Sequence, residues 1–198
     1  MLSRHQLLEP LARRRTDEVV VTTMSVVRPW GKLSDHDLDF ASADSAMGHA
    51  ADLALGIAMA CPDRKVICLN GDGSMLMSLG TLATVIESGV DNLILFVAVN
   101  RSYEITGNQP IPAARQIDFA AMARAAGFER VYEFDAVEAY DRALDEILRA
   151  PGPTFVCAHT DQGTEGPIGR SDDEEARYLK VSLAEWSHNM RRVLTAGR

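Results

Sequence analysis

The chain has 198 residues, 46% of them hydrophobic and 24% charged, with a formal net charge of −8. That profile is that of a soluble globular protein with one core, and its acidity argues against a phosphate-backbone binder, which needs clustered Lys and Arg. No apolar run approaches the roughly 20 residues that span a bilayer, so neither nucleic acid nor membrane is an expected partner.

The N-terminal stretch MLSRHQLLEPLARRR has no long apolar core and no small-residue cleavage site, which points to the cytoplasm. Its basic run, Arg13-Arg14-Arg15, is flanked by Glu9, Asp17 and Glu18 and reads as the solvated end of a helix. β-branched apolar runs then alternate with segments of helical period. The runs predict strands at Val19–Thr23, Val66–Asn70, Leu93–Asn100, Arg130–Phe134 and Thr154–His159. Helical patterns cover Met47–Cys61, Met77–Ser88, Phe119–Ala126 and Val137–Arg149, and Pro62-Asp63, Gly89, Gly127 and Pro151-Gly152 stop them. Gln162–Asp173 reads as an exposed loop and Leu183–Leu194 as an amphipathic C-terminal helix. Cys61, Cys68 and Cys157 lack metal-ligand spacing and read as buried hydrophobes.

Strands that are apolar throughout suit a sheet covered on both faces. The fold class is therefore α/β, an open, mostly parallel sheet with helices on both faces, within one domain spanning 1–198. Its core covers about 17–160, and a loop and helix follow at 161–198. Ligands of such sheets bind beyond the carboxyl ends of the strands, which places NGDGS (70–74) and NRSYEITG (100–107) on one rim. There Gly71 and Gly73 let backbone N–H groups approach an anion, and Ser74 adds a hydroxyl. Asp72 offers a hard anionic oxygen and Asn100 a neutral one, a donor set suited to Mg²⁺ shared with phosphate oxygens. Alone, GDGS is also an ordinary Asp-Gly turn. The dinucleotide-binding reading fails for want of a third glycine, and the Walker reading for want of Gly-Lys-Ser/Thr.

GDGS followed by an apolar strand ending in Asn100 resembles the metal–diphosphate signature of thiamine-diphosphate enzymes. The resemblance implies the diphosphate-binding (PP-type) thiamine-diphosphate fold, with Mg²⁺ held by Asp72, Asn100 and the Ser102 carbonyl. Val99 stands where the family has a first asparagine. Upstream, SADSAMGHAADLALGIAMA resembles the family's G-S-M-G segment, so that Ser45, Met47 and Gly48 join the cofactor-binding set, Met47 as the wedge beneath the bent cofactor. GDGSMLMSLGTLAT, NLIL and TGNQP are similar to the sulfopyruvate and phosphonopyruvate decarboxylase branch, over roughly Asp39 to Phe155. Tyr103 and Ile105 complete the implied cofactor contacts.

In that family a glutamate on a separate pyrimidine-binding domain activates the cofactor. The resemblance therefore implies a partner α subunit and an α/β hetero-oligomer, inactive without it. No certain catalytic residue is assigned in this chain; His49, Tyr103, Glu104 and Thr106 are the possible substrate-side residues. A neutral Thr106, where pyruvate decarboxylases often carry glutamate, fits a doubly anionic 2-oxo acid. Arg101 and Arg115 are possible anion contacts, with a solvated surface role favoured, and His159 reads as structural or at the rim. The stretch Thr22–Phe40 departs from the relatives, and its Arg28, Trp30 and Lys32 are placed toward substrate or partner. The alternatives are a split acetolactate-synthase-like carboligase and a non-catalytic cofactor-binding scaffold. Three scattered cysteines exclude the iron–sulfur reductase subunits that share the domain.

Overall fold

The computed structural model describes residues 1–41 and 47–196. In chain order the elements are α1 (Arg4–Arg14), β1 (Val19–Thr22), α2 (Val27–Leu33), β2 (Asp39–Ala41), α3 (Ala50–Ala60), β3 (Val66–Gly71), α4 (Asp72–Met77) and α5 (Gly80–Glu87). There follow β4 (Leu93–Val99), β5 (Ser102–Tyr103), β6 (Gln109–Pro110), α6 (Phe119–Ala126), β7 (Arg130–Phe134), α7 (Val137–Arg149), β8 (Thr154–His159) and α8 (Leu183–Thr195).

Six strands form one parallel sheet in the order β2-β1-β3-β4-β8-β7, and β5 and β6 make a small antiparallel pair beside it. All four residues of β1 and the first five of β3 are buried, as strands covered on both faces require. Each such Val, Leu or Ile contributes about 1.5–3 kcal/mol by leaving water. Helix α1 packs against α2 and α7, and α5 against α3 and α6, so the helices form two layers. The buried core reaches beyond 17–160, from Leu2 to Trp186 and Met190.

Local chemistry sets the element ends. Ser3 and Gln6 form a reciprocal capping box at α1, and Asp118 caps α6 by accepting from the Ala121 N–H at 2.8 Å. Gly127, in the left-handed region, closes α6. The strands expected at Arg130–Phe134 and Thr154–His159 occur at those bounds. The helix expected over Met77–Ser88 forms from Gly80 to Glu87; Met77 instead ends α4, and the chain breaks at Ser78. There the Gly48 turn presses on the chain: a Cβ on Gly48 would lie 3.2 Å from the Met77 Cβ. Strand β2, three residues long, has too little pattern to be read. Among the described residues no helix is long and apolar enough to cross a membrane. All three cysteines are buried and free.

Two expectations are corrected. Only part of the basic run is solvated: Arg13 pairs with Glu9 one turn away and Arg14 bridges to Asp141 and Asp145 of α7, but the Arg15 side chain is 4% exposed. Its Nη1 lies 3.3 Å from Asp39 Oδ1, and burial pulls its pKa down. Trp30 faces neither substrate nor partner; it is fully buried and donates its Nε1–H to the same Asp39 at 2.9 Å. Ser34 Oγ and the His36 N–H also donate to Asp39, so one buried carboxylate ties α1, α2 and β2 together.

Removing one partner of a buried ion pair leaves the other charge stranded. Asp39→Ala should therefore lower the unfolding free energy by about 3–5 kcal/mol in urea titration. Arg13→Ala, on the exposed turn of the same run, should stay within about 0.5 kcal/mol of the parent.

Candidate active site

The order of the strands reverses between β1 and β3, and there a cavity of about 260 Å³ opens beyond their carboxyl ends. Met24 and Ser25 after β1, Met47 after β2, Gly71–Ser74 after β3, Ala98 and Asn100 at the end of β4, and Ser102–Thr106 beyond it line the cavity. Thr160 after β8, Pro167, Ile168 and Arg4 complete the wall.

Parallel pairing sets Gly71 opposite Ala98, which brings Asp72 beside the start of the β4 loop. Arg101 adopts φ 63°, a left-handed conformation costing a non-glycine residue about 1–3 kcal/mol, and its N–H donates to Asp72 Oδ2 at 2.6 Å. The Gly73 N–H donates to Asp72 Oδ1 at 2.7 Å. Asp72 is 1% exposed, and no Lys or Arg among the described residues pairs with it. Burial pushes its pKa up to about 6, with the backbone donors pulling the other way. A desolvated carboxylate that faces a cavity and lacks a cation is a fit for a divalent metal ion.

The glycines flanking it have different physical reasons. A Cβ on Gly73 would lie 2.6 Å from the Tyr103 ring, so that residue is glycine to let the aromatic pack. At Gly71 a Cβ meets no protein atom within 4 Å and φ is −101°, which any residue adopts. Protein packing therefore gives no reason for Gly71, whereas close approach of an occupant of the cavity does. Ser74 Oγ accepts the Gly48 N–H at 2.9 Å, and among the described residues nothing uses its hydroxyl proton. Gly48 itself sits at φ 93°, turning Met47 into the wall.

The expected site residues mostly converge. Met47, Gly71, Asp72, Gly73, Ser74, Asn100, Ser102, Tyr103, Glu104, Ile105 and Thr106 line the cavity, and Gly48 braces it through Ser74. Ser45 lies outside the described residues. His49 is not brought there: its ring is exposed and sits 3.0 Å from Asp52. The side chains of Arg101 and Arg115 are exposed and line no part of it. Arg28 is engaged by Glu174 and the carbonyls of Gly166 and Pro167, and Lys32 lies on the surface 3.7 Å from Glu175.

Glu104 is spoken for. It is 5% exposed, paired with Arg4, and accepts from Asn100 Nδ2 at 3.0 Å and from the Glu165 N–H at 2.9 Å. The segment expected as an exposed loop thus partly folds back over the site, with Ile168 in the cavity wall. His159 Nε2 lies 2.7 Å from Glu133 Oε1, in hydrogen-bond contact beside the Cys157 sulfur. Burial pushes the Cys157 thiol up to about 12, and the His159–Glu133 contact ties β8 to its neighbour β7.

Sequence reasoning missed Arg4, Met24, Ser25, Ala98, Thr160, Pro167 and Ile168. Met24 and Ser25 follow the first strand directly, so the carboxyl-end rule marks them. Arg4 and Ile168 sit on segments with no local signal.

Residues 34–158 match the profile of the family described as thiamine pyrophosphate enzyme, C-terminal TPP binding domain. The chain is similar to phosphonopyruvate decarboxylase of Streptomyces viridochromogenes, 34% identical over 181 residues, 91% of this chain and 43% of that protein. It is 32% identical over 184 residues to sulfopyruvate decarboxylase subunit beta of Methanothermobacter thermautotrophicus, 91% of this chain and 95% of that one. Thus it spans less than half of the phosphonopyruvate enzyme but nearly all of the beta subunit. A thiamine diphosphate-dependent 4-hydroxybenzoylformate decarboxylase of Rhodococcus jostii RHA1 superposes with a TM-score of 0.68 at 22% identity, over 83% of this chain and 33% of that one, which shows the fold.

The two glycines make a paired test. Gly73→Ala should lose about 1–3 kcal/mol of stability by overpacking against Tyr103. Gly71→Ala should unfold within about 0.5 kcal/mol of the parent yet bind a diphosphate ligand more weakly in calorimetry.

Proposed function

The chain belongs to the thiamine pyrophosphate enzyme family, and from that premise we propose that it is the diphosphate-binding subunit of a thiamine-diphosphate- and Mg²⁺-dependent decarboxylase of anionic 2-oxo acids. The observation that carries the reading is Asp72: a buried carboxylate on the cavity wall, held by backbone N–H groups, without a cation. In this reading Asp72, the Asn100 side-chain oxygen and the Ser102 carbonyl hold Mg²⁺. The Gly71 edge and the Ser74 hydroxyl receive the diphosphate. Bound thiamine diphosphate supplies a nucleophilic carbon and an electron sink for loss of carbon dioxide. Met47, Met24 and Ile105 line the cavity and would give a bound cofactor an apolar wall that excludes water, with Met47 in the role of the family's wedge.

A partner subunit supplies the activating glutamate, and one surface supports its docking. Helix α3 reads AADLALGIAMA, apolar on nearly every side, where a helix so composed is normally buried all round. Yet Gly56, Met59 and Ala60 are exposed, and Met59 is 60% exposed. Met77, 55% exposed, is a second uncovered apolar side chain and stands beside Gly48 at the cavity's edge.

The anionic substrate is supported by the two similar decarboxylases and by the neutral Thr106 in the cavity wall. Among the described residues lining the cavity the one cation is Arg4, already held by Glu104, so the partner's face supplies the contact for the substrate's second charge.

Reconstituted with a pyrimidine-domain partner, Mg²⁺ and thiamine diphosphate, the pair should release carbon dioxide from sulfopyruvate or phosphonopyruvate. The chain alone should release none, and Asp72→Ala should abolish turnover by the pair; full turnover in that variant refutes the metal assignment. Met59→Glu should leave the circular-dichroism spectrum unchanged while preventing co-elution with the partner. Wild-type assembly by that variant removes α3 from the interface.

A further inference from the structure

We propose that Arg4 and Glu104 act as a positioning relay on Asn100, fixing its carboxamide so that the oxygen, not the NH₂, is left for a divalent cation. The inference rests on the metal–diphosphate reading of the site and adds to it two residues that are not among its metal ligands.

A carboxamide carries an acceptor on one arm and two donors on the other, nearly equal in shape, and only the oxygen can ligate a cation. The neighbours must therefore choose the orientation. Asn100 Nδ2 donates at 3.0 Å to Glu104 Oε2, and Asn100 Oδ1 accepts the Ser102 N–H at 3.0 Å. A carboxylate accepts and cannot donate, so Glu104 holds the NH₂ arm on its own side. The Ser102 hydroxyl also lies 3.4 Å from the Asn100 oxygen, but its single proton has a shorter partner, Asn108 Oδ1 at 2.9 Å, so the Asn100 oxygen keeps a second lone pair beyond the Ser102 N–H.

Glu104 in turn depends on Arg4. Its side chain is 2% exposed, and a carboxylate so buried needs a cation. Arg4 Nη2 contacts the same Oε2 that takes the Asn100 amide, while the Glu165 N–H donates to Oε1 at 2.9 Å. Three donors thus converge on two oxygens. Glutamine has one acceptor oxygen, so in Glu104→Gln one of these donors would face an NH₂.

The N-terminal segment is fixed for this task. The Leu2 N–H donates to the His159 carbonyl at 2.8 Å and the Asp161 N–H to the Leu2 carbonyl at 3.0 Å, docking the segment at the end of β8. Ser3 caps the helix whose first residue is Arg4. Arg4 lies upstream of the 34–158 stretch that matches the family profile, so this support for the site comes from outside the matched region.

A plain strut between α1 and the β4 loop would use the same contacts, and metal affinity separates the two roles. Mn²⁺ is titrated into the full chain in the presence of thiamine diphosphate, with free Mn²⁺ read by electron paramagnetic resonance and folding by circular dichroism. Partners of metal ligands typically govern affinity about 10–100-fold. Glu104→Gln should weaken Mn²⁺ binding by about that factor, Arg4→Met should weaken it in the same direction, and Arg4→Lys should recover most of the loss. Folded Glu104→Gln or Arg4→Met chains with parental Mn²⁺ affinity, even at a lower melting temperature, overturn the relay. Should Glu104→Gln fail to fold, the arginine pair decides: equal affinity in Met, Lys and parent overturns it. If the parent chain takes up no Mn²⁺ with thiamine diphosphate, the functional reading falls and the relay with it.

Discussion

The carboxylate of Asp72 is taken out of water at the carboxyl end of a central strand, and much of the site is arranged around that fact. Burial raises its pKa to about 6, because the charged form has lost its water. The backbone compensates in part: Arg101 accepts a left-handed conformation and so can turn its N–H onto Oδ2. A Mg²⁺ ion would supply the rest, and the chain binds one loop to the next through the group that would hold it.

Around this centre the fold divides the labour. The doubly covered parallel sheet fixes Gly71 opposite Ala98 and so fixes the distance between the two loops. The glycines then act separately, one clearing the Tyr103 ring and one leaving space on the cavity side. A second buried carboxylate, Asp39, anchors the far edge of the sheet with Arg15, Trp30 and Ser34, and a third, Glu104, ties the N-terminal helix to the β4 loop. All three are acceptors for backbone or side-chain donors, but only Asp72 is left without a cationic partner.

Much of this was legible in the residues. Four of the six sheet strands announce themselves, because a strand buried on both faces is apolar throughout and needs no partner to be recognised; the half-exposed edge strand β7, RVYEF, is legible only through its Val, Tyr and Phe. Strand β2 does not, since three residues carry no period and Asp39 within it is polar. Asp72 and Asn100 were readable as a pair because each ends an apolar run and the fold's rule puts such ends on one rim. Arg15 was not, because three adjacent arginines look alike in sequence and only tertiary packing decides which is buried. Trp30 likewise reads as a contact for substrate or partner until the carboxylate that satisfies its indole is seen. Arg4 lies 100 positions before the Glu104 it pairs with, and no local pattern encodes so distant a contact.

The account's central claim is that cofactor affinity in this chain is carried by a metal held at Asp72. Calorimetric titration of thiamine diphosphate into the purified chain, once with Mg²⁺ and once with EDTA, tests it most directly. Binding that appears with Mg²⁺ and vanishes with EDTA is the predicted result; equal affinity under both conditions, or none under either, contradicts it.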